Sequence, residues 1–257
     1  MTAEVRIEID GSIGWLIFDH EARRNAMTLD MWHTVPQLCA ELEADPAVRV
    51  VVLRGAGEVA FIAGADISQF SDNRSGESSG TYDDATGNAY RAIAHLAKPT
   101  IAMIHGFCFG GGLAIALSAD LRYAADDATF CLPPAKLSIG YPASGIGTVV
   151  DLLGPSIAKE MAYTADAYDA ATALRWGLAN SVHAKGELEA FVRDRCAMIA
   201  SRAPLSQVAA KLAVASHLGL GDPADTDQAI RRCFLSQDYA EGVAAFLEKR
   251  PPVFTGE

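Results

Sequence analysis

The chain has 257 residues, half of them hydrophobic, and 21 Lys and Arg against 32 Asp and Glu give a formal net charge of −11. At roughly 150 residues per domain, this length holds one large domain or a domain with a small appendage, with ample chain to bury a core. The acidic balance excludes a broad basic surface for a nucleic-acid backbone or an anionic membrane, so an anionic ligand needs a local cationic spot.

Cys39, Cys108, Cys131, Cys196 and Cys233 are odd in number, widely spaced and form no C-x-x-C pair. That argues against a disulfide framework or a zinc knuckle and for a reducing compartment. The start, MTAEVRIEID, alternates like a strand and lacks the charged-then-apolar order of a secretory signal, so a cytoplasmic protein is expected. The most apolar window, Thr100 to Ala119, is interrupted by His105, Gly106 and Gly110 to Gly112. It reads as a buried strand, a turn and a helix rather than a membrane span.

In chain order, Val5 to Asp10 and Ile13 to Phe18 read as a hairpin around Gly11. Met31, Trp32, Val35, Leu38, Cys39 and Leu42 then recur at three- and four-residue spacing, which predicts an amphipathic helix over Asp30 to Leu42, ending before Pro46. Val48 to Leu53 reads as a buried strand. The polar stretch Ser71 to Thr86 is the best candidate for a mobile loop, ahead of a helix from about Gly87 to Leu96. Thr100 to Ile104 reads as a strand, Gly110 to Ala119 as a helix and Leu121 to Ala124 as another strand. This alternation predicts an α/β layer with right-handed crossovers. After about Ser144 the chain turns mostly helical, around Ile157 to Tyr163, Ala170 to Trp176, Glu187 to Ile199, Leu205 to His217, Ala224 to Leu235 and Tyr239 to Glu248. Pro204 and Pro223 serve as breaks.

Two small-residue turns stand out as candidate chemistry. In Phe61-Ile62-Ala63-Gly64-Ala65-Asp66-Ile67, small side chains let a ligand approach the backbone, and an exposed N–H can donate to it. A tight turn between layers is the other reading. In His105-Gly106-Phe107-Cys108-Phe109-Gly110-Gly111-Gly112-Leu113, three glycines open a helix whose first N–H groups and dipole suit an oxyanion or phosphate. Close packing of helix on sheet is the alternative there. Neither a Walker loop nor a G-x-G-x-x-G fingerprint is present.

Together, AGADI at 63–67 and KPTIAMIHGFCFGGGLAIALSADLRYAADDATF at 98–130 resemble the enoyl-CoA hydratase/isomerase (crotonase) superfamily. The resemblance runs from Arg24-Asn25-Ala26 to Ala245-Phe246-Leu247-Glu248-Lys249-Arg250. It implies a spiral of ββα units over residues 1–200 and a helical C-terminal region over 201–257 that mediates trimerisation, often as a dimer of trimers. It implies an acyl-coenzyme A thioester as ligand, with no metal and no permanently bound cofactor. The N–H groups of Ala65 and Gly111 would polarise the thioester carbonyl, as two preorganised donors to an enolate oxygen. By the same resemblance Arg24, Ala26, Ala63, Asp66, Ile67 and Ser68 line the coenzyme, while Phe246 and Lys249 touch its nucleotide end from a neighbouring subunit. Arg23, Arg24 and Lys249 would supply the cationic spot; solvated surface charge is the other reading of each.

The chain departs from the family where hydration is done. Hydratases of the family carry one glutamate three residues after the middle Gly and another after the Pro of F-x-x-P-E. Here these positions are Ala114 and Pro134, neither of which can transfer a proton, so hydration by a glutamate pair is not expected. Losing carbon dioxide from a malonyl-type thioester needs no base to form the enolate. The segment Pro134 to Tyr141 is similar to the family's small-acid-CoA decarboxylases, which place a tyrosine where Tyr141 falls, though their frequent histidine at the first oxyanion position is Ala65 here. A lyase that decarboxylates, or that hydrates with another base, and a non-catalytic acyl-CoA binder are the alternatives. His105 is expected to be a hydrogen-bonded core residue, Asp66 has the alternative role of helix cap, and Cys108 and Cys131 are expected in the core.

Overall fold

The computed structural model describes residues 3–69, 79–141 and 143–257. The expected hairpin is β1 (Glu4–Asp10) and β2 (Ile13–Asp19), paired antiparallel around Gly11. Next comes α1 (Leu29–Ala44), whose N-terminus is capped by the Thr28 hydroxyl and whose buried face is Met31, Trp32, Val35, Leu38, Cys39 and Leu42. These are the residues whose spacing predicted the helix.

Three ββα units follow. In each, one strand joins a six-stranded sheet, the next joins a smaller sheet, and a helix returns. The units are β3 (Val50–Gly55), β4 (Ala60–Ile62) and α2 (Ser79–Ala94); β5 (Thr100–Ile104), β6 (Phe107–Phe109) and α3 (Gly111–Ser118); and β7 (Leu121–Ala125), β8 (Thr129–Cys131) and α4 (Ala143–Thr164). Then come β9 (Ala167–Asp169), α5 (Ala170–Trp176), β10 (Ser181–His183), α6 (Leu188–Ala200), α7 (Pro204–His217), α8 (Pro223–Leu235) and α9 (Gln237–Glu248).

The large sheet runs β1-β2-β3-β5-β7-β10, parallel from β2 onward, and the small one runs β4-β6-β8-β9. Alternation along β3 sends Val51 and Leu53 into one core, shared with α1, α2 and α3, and Val50 and Val52 into a second core beneath α6.

Three expectations need correcting. Helix α2 starts at Ser79, so the second half of the stretch read as loop is helical, while residues 70–78 lie outside the described residues. The helix expected around Ile157 is the second half of α4, which bends at Gly154 (φ 79°) and Pro155. The short strands β4, β6, β8, β9 and β10 were not legible, because three residues carry no period that separates strand from turn.

Candidate active site

Strands β4 and β6 lie side by side and parallel, with Ala60 opposite Phe107 and Ile62 opposite Cys108. Each ends in one of the two small-residue turns, so both turns emerge at the same edge of the small sheet. That is the C-terminal strand end, where parallel α/β sheets bind ligands.

The first turn is stitched to the segment after β2. Arg24 accepts a hydrogen bond from Ala63 N–H at 3.0 Å, and Ala65 forms a parallel bridge with Met27. The bridge is closed by Met27 N–H to Gly64 O and by Asp66 N–H to Met27 O, both 2.8 Å. In a parallel bridge the flanking peptides make these bonds, so Ala65's own N–H points away from Met27. Gly64 has φ +110°, and a Cβ there would approach the Phe109 carbonyl oxygen at 3.3 Å. The two turns touch through this contact.

The second turn is shaped by Gly110 (φ +53°), whose N–H donates to Cys131 O at 2.9 Å. Gly111 opens α3, so its N–H is one of the first helical amides with no intrahelical acceptor, at the positive end of the helix dipole. Gly112 packs against β4 so closely that a Cβ would stand 2.2 Å from Ile62 O. The packing reading of this turn holds: Gly112 presses the helix onto the sheet, and that packing fixes the direction of the Gly111 amide.

Around the turns, Trp32 and Tyr90 cover the flank of Gly111. Ala114 is half-buried on the same helical face one turn later. Pro133 packs against Gly110, and the half-buried Pro134 starts a single 3-10 turn, Pro134–Leu137. Tyr141 is half-buried against the main core. Ala114 and Pro134 therefore border the turns.

Arg24 is left-handed (φ 54°) and lays its guanidinium over the Phe107 ring at 4.6 Å, which holds an exposed cation beside β6. The Asp66 carboxylate accepts from the Ser68 N–H at 3.1 Å and from its hydroxyl at 2.7 Å. Partial burial pushes its pKa up, but the Ser68 bonds, with Arg23 and His20 nearby, hold it below the usual carboxylate range. Asp66 thus caps the short turn Ile67–Gln69, as its alternative reading expected, and leaves Ile67 exposed beside it. The structure so gathers Arg24, Ala26, Ala63, Asp66, Ile67 and Ser68 beside the first turn.

Phe246 and Lys249 sit elsewhere, at the end of α9, with Phe246 83% exposed and Lys249 left-handed as the helix cap. An apolar groove of about 550 Å³ runs there, lined by Leu205, Phe234, Tyr239, Val243, Phe246 and Phe254. It is distinct from the small-sheet turns.

Asn25 was not singled out by sequence reasoning, yet it fixes the approach to the first turn. Its Nδ2 donates to Ala56 O at 2.9 Å and to Ala60 O at 2.8 Å, and its Oδ1 accepts from His20 N–H at 3.0 Å. The available signal was chemical: Asn tolerates the left-handed φ of 57° found there better than other residues with a Cβ.

His105 is buried near the Gly57 backbone, with Arg54, Asp127 and Lys185 as its charged neighbours, but among the described residues its Nε2 has no hydrogen-bond partner, so the expected hydrogen-bonded core histidine is only partly satisfied. Burial raises the Cys108 and Cys131 thiols above their ordinary range, so neither is an activated nucleophile. Among the described residues no three His, Cys, Asp or Glu side chains gather as a metal site, and no helix is long and apolar enough to cross a membrane.

The sequence pattern of the family described as enoyl-CoA hydratase/isomerase matches residues 8–257. The chain belongs to that family, the crotonase superfamily of the sequence resemblance. It is 33% identical over 252 residues to the short-chain-enoyl-CoA hydratase of Clostridium acetobutylicum, covering 96% of this chain and 95% of the relative. It is 33% identical over 264 residues to the carnitinyl-CoA dehydratase of Proteus mirabilis, covering 100% of each. Among solved structures, an enoyl-CoA hydratase/carnithine racemase from Magnetospirillum magneticum superposes with a TM-score of 0.93 at 33% identity, over 100% of this chain and 97% of that one. The enoyl-CoA hydratase of Bacillus anthracis gives 0.90 at 28%, over 98% and 99%. These likenesses establish the crotonase-type α/β fold.

Proposed function

We propose that this chain is an acyl-coenzyme A lyase in which the N–H groups of Ala65 and Gly111 stabilise the enolate of a thioester. The observation that carries the reading is the pairing of β4 with β6, which brings an outward-facing strand amide and a helix-terminal amide to one edge. Two fixed donors aimed at a developing oxyanion are worth far more than water, because they do not reorganise during the reaction. Coenzyme A enters as part of the substrate, along Arg24, Ala26, Ala63, Asp66, Ile67 and Ser68. No metal is used.

Ala114 and Pro134 favour decarboxylation of a short malonyl-type thioester over hydration. In that step the bond from Cα to the carboxylate breaks, carbon dioxide leaves, and the electron pair moves through Cα to the thioester oxygen. The enolate is then protonated at Cα by solvent or by the Tyr141 phenol.

A division near residue 200 is supported by the end of the second core at Cys196 and Ile199. Helices α7 to α9 build a homotrimer, or a dimer of trimers, in which Phe246 and Lys249 reach the nucleotide end of a neighbour's ligand. Cysteines that form no disulfide suit a cytoplasmic setting.

The test is mass spectrometry of crotonyl-CoA and methylmalonyl-CoA incubated with wild type, Gly111→Pro and Gly111→Ala. Proline removes the donor, whereas alanine keeps it and presses on the same Trp32 edge, so the difference between the two isolates the N–H. Loss of carbon dioxide with wild type, about 100-fold slower with proline than with alanine, is expected. Rapid hydration of crotonyl-CoA would overturn the decarboxylase assignment, and equal rates in the two variants would overturn the oxyanion role. Ala114→Glu with Pro134→Glu is expected to add hydration that wild type lacks.

A further inference from the structure

We infer that His20 is a positioning residue for the Ala65 amide, holding and polarising it through a chain of two peptide groups. The inference rests on the oxyanion reading of Ala65 and adds to it the side chain that aims the donor.

The chain of bonds starts at the imidazole. His20 is half-buried just after β2, and its Nδ1 stands 2.9 Å from Ala26 O. A carbonyl oxygen only accepts, so Nδ1 carries a hydrogen and donates it. The peptide group that holds Ala26 O also holds the Met27 N–H, which donates to Gly64 O at 2.8 Å. The peptide group that holds Gly64 O holds the Ala65 N–H in turn. A trans peptide is planar and sends its C=O and N–H in opposite directions. With Gly64 O tied to Met27, the Ala65 N–H points away from Met27 and swings only if that bond does.

Each bond in such a series polarises the next, so the last donor is stronger than an isolated amide. The two proposed oxyanion donors are thus backed by different means. Gly111 has the dipole of α3 behind it, and Ala65 has an imidazole and two peptide groups.

The loop that carries the series bends through two consecutive left-handed residues, Arg24 (φ 54°) and Asn25 (φ 57°), so its backbone does not hold this path unaided. His20 closes the bend. Its carbonyl oxygen accepts from the Arg23 and Asn25 N–H groups at 2.8 and 2.9 Å, and its own N–H donates to Asn25 Oδ1 at 3.0 Å. The ring extends this hold past Asn25 to Ala26, and the Asp66 N–H clamps the far side by donating to Met27 O at 2.8 Å.

The test is isotope-edited infrared difference spectroscopy of butanoyl-CoA bound to wild type, His20→Asn, His20→Gln and His20→Leu, each saturated with the thioester. The thioester carbonyl stretch drops in frequency as donors pull on its oxygen. The Asn amide nitrogen lies as many bonds from Cα as Nδ1 does, whereas that of Gln lies as far out as Nε2, so Asn alone keeps the donor in place. Wild type and His20→Asn are expected to show nearly the same drop, and His20→Gln and His20→Leu about half of it, since Gly111 still donates. Equal drops in the Asn and Gln variants overturn the role of His20 and leave the oxyanion reading standing; that pair decides the matter if His20→Leu does not fold. A folded His20→Leu with the wild-type drop overturns it as well. If butanoyl-CoA binds wild type without any drop, or does not bind, the oxyanion reading itself falls and takes the role of His20 with it.

Discussion

The two small-residue turns and the helices after residue 203 are ordered by different means. At the turns every close approach is filled by the chain itself: Ile62 O lies against Gly112, Phe109 O lies against Gly64, and Arg24 O takes the N–H of Ala63. In α7 to α9 the order comes from polar ties. The buried Asp238 carboxylate accepts from the Thr255 and Gly256 amides, and Glu241 takes Arg250 through two nitrogens. Meanwhile Leu235, Phe246 and Leu247 are 86%, 83% and 74% exposed. A soluble chain seldom leaves so much apolar surface in one region unless another surface meets it. The site's shape is thus a property of one chain, while its C-terminal helices leave an apolar face exposed, the face that the proposed neighbour would cover.

That contrast breaks first at Gly112. An added methyl would stand 2.2 Å from a backbone oxygen, with no flexible side chain to give way, so Gly112→Ala is expected to lose about 3 kcal/mol or more in urea unfolding. A wild-type midpoint would mean that α3 slides on β4 and that the turns are not held by the chain. Asn25→Ala comes next. It strands two carbonyls and an N–H and forces alanine into φ 57°, for an expected loss of about 2 to 3 kcal/mol by the same measurement. Asn25→Gly should recover the backbone part alone.

The same division explains what the sequence disclosed. Elements long enough to show a period were legible: α1 from its six apolar positions, β5 from its run, and α5 from its spacing. Both turns were legible because glycine and alanine runs beside a strand are rare punctuation. The small sheet that unites them was not, since β4 and β6 have three residues each and pair across the intervening α2 and β5. Trp32 read as core, which it is. Only the fold shows that its edge lands on Gly111, through residues 79 positions apart in the chain, where no local pattern points.

The exposed helices give a gentler test. Phe246→Ser with Leu247→Ser should drop the light-scattering mass from a multiple of the chain to one chain, with circular dichroism unchanged and monomer stability moved by no more than about 0.5 kcal/mol. Wild type already at the mass of one chain would remove the neighbour from the comparison, and with it the proposed reach of Phe246 and Lys249.

The smallest effect concerns His105, which belongs to the self-sufficient region and tests how tightly that region is closed. Burial pushes its pKa below the ordinary value of 6.5; Arg54 and Lys185 push the same way, and the Gly57 bond and Asp127 oppose them. As pH falls through that ordinary value, the unfolded chain takes up a proton that the folded chain refuses, so stability declines until the lowered folded pKa is passed. His105→Gln cannot take up this proton. The stability of wild type relative to the variant should therefore fall as pH drops through the ordinary value of 6.5, read as a difference of two urea midpoint series. Parallel series would mean that His105 is protonated as readily in the folded chain as in the unfolded one, and that water or a compensating charge reaches the strand end behind the turns.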